Sequence, residues 1–189
     1  MFKNINVYKI VLALLMLLIL VASIIKYNNG KDLSKLLDDF IANENYTDYH
    51  ISFSISDKDN NSDKFYSSED KEIILEVLNY FKGLKPIKIY NDLYLNEDNE
   101  EKELNNRYSI YIRAYYYTTQ KKENYTLKEQ KTDDIFIHFN YSNKISVNCD
   151  LDTDYKENYD HDYRLNQNID EIFIYNIIEK YNLKDTSRD

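Results

Sequence analysis

The chain has almost none of the residues that build tight backbone loops. Its 189 residues include two glycines and one proline. P-loops, dinucleotide fingerprints and Gly-x-Ser-x-Gly elbows need glycine for positive φ and for close backbone approach. With Gly30 and Gly83 the only glycines, all three motifs are excluded. One cysteine, Cys149, leaves no intrachain disulfide. The three histidines, His50, His138 and His161, are widely separated and none sits in a His-x-x-x-His pair. That argues against a structural zinc site. Tryptophan is absent, and no acidic residue occurs before Lys26.

What is abundant is equally telling. All 33 acidic residues follow Lys26, whereas three of the 24 basic ones do not, so the remainder carries −12. Such a domain is repelled by nucleic acid and by anionic lipid headgroups. Basic partners and metal cations are electrostatically easier. Asn, Lys, Ile, Tyr and Asp dominate, a composition that predicts an AT-rich coding sequence, with a bacterial source as the expectation.

The one long apolar run is Ile10 to Ile25, uncharged and with Ser23 its only polar side chain. At about 1.5 Å per residue it falls short of a hydrocarbon core of about 30 Å. Lys9 and Lys26 can snorkel, and Tyr8 and Tyr27 suit the headgroup level, so 7–27 reaches across. The run predicts an uncleaved, single-pass signal anchor in the cell membrane. A cleaved signal peptide ending near Val21-Ala22-Ser23 is the competing reading. Basic residues flank both sides, so placing the C-terminal domain outside the cytoplasm rests on the short N-terminal tail. The predicted layout is therefore 1–27 tail and anchor, 28–47 hinge and juxtamembrane amphipathic helix, and 48–185 extracytoplasmic domain.

Within that domain, Leu33, Leu36, Leu37, Phe40 and Ile41 recur at helical spacing, a face that should dock on the domain. Tyr49, Ile51, Phe53 and Ile55 alternate with His50, Ser52, Ser54 and Ser56, which predicts a half-buried strand. Phe65-Tyr66 begins its return. Ser67 or Ser68 is expected to cap a helix with Ile74, Val77, Leu78 and Phe81 as its stripe. Gly83 is expected to supply a left-handed cap. A strand follows from Ile87 toward Leu95, then an acidic loop over 96–106. Alternation marks strands from Tyr108 to Tyr116, Ile135 to Tyr141 and Ile145 to Leu151. Residues 118–134 are polar, either a loop or the ends of a long hairpin. Asn143 is expected to turn the last pair with positive φ. Tyr163 to Leu165 reads as a final short strand. Asn168 with Glu171 reads as a capping box opening a helix that Asn182 ends. The matching spacing of the two helix ends is either a duplicated ββα unit or the same capping rules met twice. The expected fold is α+β: a transmembrane helix, then a two-layer domain with an antiparallel sheet and helices packed on one face.

Three features carry candidate chemistry. Cys149 falls in phase with Ile145, Val147 and Leu151, which predicts a buried apolar residue rather than a nucleophile paired with a distant histidine. Asp150, Asp152 and Asp154 have the opening rhythm of an EF-hand loop, as do Asp57, Asp59 and Asn61. In the first, Tyr155 replaces the glycine and His161 stands where the bidentate glutamate belongs; the second also lacks the glycine, so both read as solvated turns. Finally, Tyr111, Arg113, Tyr115 and Tyr117 share one face of the long strand, with Phe136 and His138 on the matching face of the next. If helices cover only the other side, this is an exposed aromatic patch of the kind used in binding. If the juxtamembrane helix or 118–134 covers it, it is not. The sequence thus predicts a non-catalytic interaction module, with no cofactor and an unknown protein or envelope partner. A Ca²⁺ or glycan-binding domain is the alternative, and no catalytic constellation can be nominated for an enzyme.

Overall fold

The computed structural model describes residues 12, 14–20, 33–60, 62–89, 102–122, 125–151 and 159–187. The domain is α+β, with one large antiparallel sheet and a few helices. In chain order these are α1 (Leu33–Ile41), β1 (Asp48–Asp57), β2 (Ser62–Ser68), α2 (Lys71–Gly83), β3 (Pro86–Lys88), β4 (Glu103–Lys122), β5 (Tyr125–Tyr141), β6 (Lys144–Leu151), β7 (Tyr159–Leu165) and α3 (Ile172–Lys180). The seven strands lie in the order β2-β1-β4-β5-β6-β7-β3, and every neighbouring pair is antiparallel.

Alternation decides which face is buried. Ile51, Ile112, Ile135 and Cys149 form one cross-strand rung, and Phe53, Ile110, Ile137 and Val147 the next. All eight are buried, in one cluster with Leu33, Leu36, Leu37 and Phe40 of α1, the α2 stripe, and Ile174 and Ile177 of α3. The helices therefore supply the apolar cover for this inner face, and α1 docks there as its amphipathic spacing predicts. Tyr108 stacks on Phe139 at 4.9 Å, and Tyr80 on Phe173 at 3.6 Å, which ties α2 to α3.

The segment 118–134 belongs to the long hairpin. β1 last pairs with β4 at Asp48–Tyr115, and β6 last pairs with β5 at Leu151–Asp133. The β4–β5 pairing continues to Lys122–Tyr125, so a two-stranded ribbon runs on beyond those neighbours. Strand β4 also begins earlier than expected, at Glu103, inside the segment read as an acidic loop. The expected course of β3 from Tyr90 to Leu95 lies outside the described residues.

Four local expectations are corrected. Asp70, not Ser67 or Ser68, caps α2, accepting from the Glu72 N–H at 2.8 Å. Ser68 instead accepts from the Asp70 N–H at 3.1 Å, one step upstream. Ahead of α3 it is Asp170 that accepts from the Ile172 N–H, at 3.0 Å, while Glu171 makes no side-chain cap bond and accepts from the Tyr108 hydroxyl instead, so the expected capping box does not form. Gly83 does not take positive φ; Lys85 does, at 51°. Asn182 does take it, also at 51°, whereas Asn143 does not. Each left-handed residue thus stands two places past its helix, Lys85 after Gly83 and Asn182 after Lys180, and each donates to the carbonyl three residues back, at 3.1 and 3.0 Å, so the two ends share a cap geometry that falls at different points of the matched sequence spacing.

Half of the predicted anchor run, Ile10 to Ile25, lies outside the described residues. Residues 12 and 14–20 are helical, and all eight apolar side chains are 55–68% exposed. No helix among the described residues is long and apolar enough to cross a membrane. The hinge at 28–30 also lies outside them.

Candidate functional site

The outer face of the sheet is built from the residues that alternate with the core. One rung runs Ser67, Ser52, Tyr111, Phe136, Asn148 and Asp160 across six strands. The next runs Phe65, Ser54, Ser109, His138, Ser146 and Asp162. Neither of the two segments that could have covered this face lies over it. Helix α1 packs on the core, and 118–134 forms strands of the sheet itself. Phe65, Tyr117 and Phe136 are 41–43% exposed, among the most exposed aromatics of the sheet.

All six residues singled out from the sequence come together on this face. Tyr111 stands directly opposite Phe136. Burial, with the Asp134 carboxylate adding to it, pushes the Tyr111 phenol up to about 12, so it stays a neutral hydrogen-bonding group. Arg113 is less free than the sequence implied. Its Nε and Nη2 donate to the two Asp134 oxygens at 2.8 and 2.9 Å, and its guanidinium lies 5.2 Å from the Tyr111 ring centre. A bidentate pair of this kind fixes the orientation of the side chain. Tyr117 carries Lys128 over its ring at 4.1 Å. His138 Nδ1 lies 2.9 Å from Ser109 Oγ, its cross-strand partner. Burial, then the charge of Arg107, lowers the His138 pKa.

Tyr115 does something the sequence did not reveal. It forms part of the wall of an open hollow of about 390 Å³ where the ribbon leaves the sheet. Thr47, Asp48, Tyr49 and His50 line it from the start of β1, Glu69 from the β2–α2 turn, and Gln130 from β5. The Thr47 N–H and hydroxyl both donate to the Tyr115 carbonyl, at 2.7 and 3.2 Å, which locks the β1 entrance onto β4. Among the described residues neither Asp48 nor Glu69 takes part in an ion pair. The volume falls in the usual range for small-ligand pockets, about 300–1,000 Å³. Two further residues were missed: Phe65, which extends the aromatic face onto β2, and Asp134, which clamps Arg113.

The acidic loops take different roles. Asp57 Oδ1 accepts from the Asp59 and Asn60 N–H groups at 2.9 and 3.1 Å, and its Oδ2 accepts from Asn60 Nδ2 at 2.7 Å. Those bonds, the Asn60 side chain first, hold its carboxyl below the usual range and commit it to the turn. Asp150 is exposed on the outer face opposite Asp134, while Asp152 and Asp154 lie outside the described residues. No three His, Cys, Asp or Glu side chains among the described residues form a metal cluster. Cys149 is fully buried, and burial pushes its thiol up to about 12. A thiol held that far from its thiolate is a packing residue.

Compared with known proteins, the chain matches no family model, no curated protein and no solved structure. The arrangement is that of an α+β domain with helices on its inner face and a tyrosine-, serine- and phenylalanine-bearing outer face. Flat surfaces of that composition make contact area at small entropic cost and adaptable hydrogen bonds.

Proposed function

We propose that the chain is a single-pass, membrane-anchored binding module. It holds the outer face of its sheet outside the cytoplasm, toward a protein or envelope partner. The observation that carries this reading is the open aromatic face centred on Tyr111 and Phe136, with Phe65, Tyr115 and Tyr117 around it. Support for the anchor is the uncharged run Ile10 to Ile25, together with the eight helical residues exposed on every side. A helix apolar all round belongs in a large core or in lipid, and each such side chain gains about 1.5–3 kcal/mol on full burial. The net −12 after Lys26 opposes nucleic acid as the partner.

Photo-crosslinking in intact cells tests the face. A crosslinking residue at Tyr117 should give a defined adduct that Tyr111→Ser with Phe136→Ser removes, while a crosslinker at Lys85 gives none. Adducts unchanged by the double substitution would sink the reading. Fractionation tests the anchor: the full-length chain should pellet with membranes and resist carbonate extraction. A soluble form beginning near Ile24 would replace the anchor with a cleaved signal peptide.

A further inference from the structure

Among the described residues, the open edges of the sheet are blunted by different devices. An unprotected strand edge is a template for pairing with another chain. The β3 edge is three residues long and begins at Pro86. The ribbon beyond Tyr115 carries Lys121, Lys122, Lys128 and Lys131. Strand β2 is seven residues long, with one lysine and no proline. What covers its edge is a strap from beyond α3. Asp185 forms an antiparallel bridge with Tyr66. The Thr186 N–H and hydroxyl both donate to the Phe65 carbonyl, at 2.8 and 3.2 Å. The Asp185 carboxylate accepts from the Phe65 N–H at 3.4 Å and from the Ser187 N–H at 2.9 Å. The strap thus takes both backbone groups that Phe65 turns away from β1.

We infer that this strap is a gate on the β2 edge. Seated, it holds the chain monomeric; displaced, it lets β2 pair antiparallel with β2 of a second copy. The strap is lightly held: Asp185, Thr186 and Ser187 are all exposed, and these hydrogen bonds to β2 converge on Phe65. The second copy is the occupant because the edge is complementary to itself. In an antiparallel ladder alternate residues turn both backbone groups to one side, so Asp63 and Ser67 face outward with Phe65. A two-fold axis at Phe65 sets Asp63 opposite Ser67 and Lys64 opposite Tyr66, so no like charges meet. The two Phe65 side chains, each 43% exposed in the single copy, then lie side by side as an aromatic pair. Pairing stops at two copies, since each uses its β2 edge. The −12 that follows Lys26 repels a second copy at range, but salt screens it beyond about 8 Å, so the contact at the edge decides. The inference is independent of what the outer face binds.

Asp185→Ala with Thr186→Pro removes the carboxylate, N–H and hydroxyl of the strap and leaves β2 as it is. Sedimentation equilibrium of the full-length chain, in a density-matched non-ionic detergent, reads the outcome. The parent should be monomeric, and the strap variant should dimerise at least tenfold more tightly. In that background Ser67→Asp sets a carboxylate opposite Asp63 and should reverse the gain, whereas Ser67→Lys should keep it. Phe65→Cys should give a disulfide-linked dimer on mild oxidation, because directly opposed residues lie within disulfide reach. Lys64→Cys, opposite Tyr66 and not itself, should not. Cys149 is fully buried and stays out of this reaction. Thr186→Pro alone serves if the double variant does not fold. A strap variant no more associated than the parent overturns the inference. So do open-ended oligomers, indifference to Ser67→Asp, or equal crosslinking from the Lys64 and Phe65 positions. Tyr111→Ser with Phe136→Ser should leave the dimer unchanged. If that pair abolishes it, the copies meet through the outer face, and the gate falls while the face reading stands.

Discussion

The Tyr46 phenol donates to the Asp133 carboxylate across 2.5 Å, joining residues 87 positions apart beneath α1. Asp133 is fully buried, on the inner face opposite Ala114, and Tyr46 is nearly so. Burial, with the Asp133 hydrogen bond and charge adding to it, drives the Tyr46 phenol far above its ordinary range, so it remains a donor at any physiological pH. The ring also packs against Phe40, Tyr49 and Tyr116 at 5.0–6.0 Å. This pair pins the segment that leads from α1 into β1. Tyr46→Phe keeps the packing and deletes one donor to a buried carboxylate. It should cost about 1.5–3 kcal/mol in urea unfolding. The cost should shrink in an Asp133→Asn background. Equal costs in the two backgrounds would show that the pair is not coupled.

How much of this was legible in the sequence depends on whether a segment has a buried face. β1 could be read because Ile51, Phe53 and Ile55 must alternate to meet the core. The ribbon beyond Tyr115 could not. Thr118 to Gln130 has little core beneath it, so no apolar period marks it, although it is hydrogen-bonded strand throughout its described length. Asp133 was hidden for the opposite reason: a buried carboxylate breaks the apolar pattern at the point where it is most enclosed. The six face residues were legible because they lie on two strands joined by one hairpin. The hollow was not, since Asp48, Glu69, Tyr115 and Gln130 come from four separate segments. Only the crossover that places β1 beside β4 brings them together.

Cys149 offers a direct test of the inner rung it shares with Ile135. A thiol with its pKa pushed up to about 12 and no solvent access should react with a disulfide reagent at pH 8 only as fast as the domain opens. Labelling should be negligible in buffer and complete in urea. Cys149→Ser places a hydroxyl there and should cost about 1–3 kcal/mol. Rapid labelling of the folded chain would show that the rung is open to solvent.

His138 ties stability to pH. Its folded-state pKa lies below the ordinary value of about 6.5 because burial, then Arg107, opposes the charged form. Below 6.5 the unfolded chain therefore binds a proton that the folded chain resists. Stability falls as pH drops from 6.5 through the folded pKa, and is fully present above 6.5. His138→Gln should flatten the decline in thermal midpoint between pH 7 and pH 5.5. A slope identical to that of the parent would mean the imidazole charges as easily in the folded chain as in the unfolded one.

The end of α2 separates what its sequence implies from what its backbone does. Gly83 was expected to hold the left-handed position, in which case an added Cβ would be costly. It has no positive φ, and a Cβ built there meets nothing within 4 Å. Gly83 is thus an ordinary last residue of the helix, where its freedom in the unfolded chain is a liability. Gly83→Ala should stabilise the domain by about 0.5–1 kcal/mol. The left-handed turn belongs to Lys85, at φ 51°, directly before Pro86 starts β3. That conformation costs a residue with a side chain about 1–2 kcal/mol, so Lys85→Gly should also stabilise, though unfolded-state entropy offsets part of the gain. Paired urea unfolding of the two variants separates the two positions. Stabilisation by Gly83→Ala together with no loss from Lys85→Gly locates the left-handed residue at 85. A marked loss from Gly83→Ala would return it to 83 and bring the cap of α2 into line with its sequence.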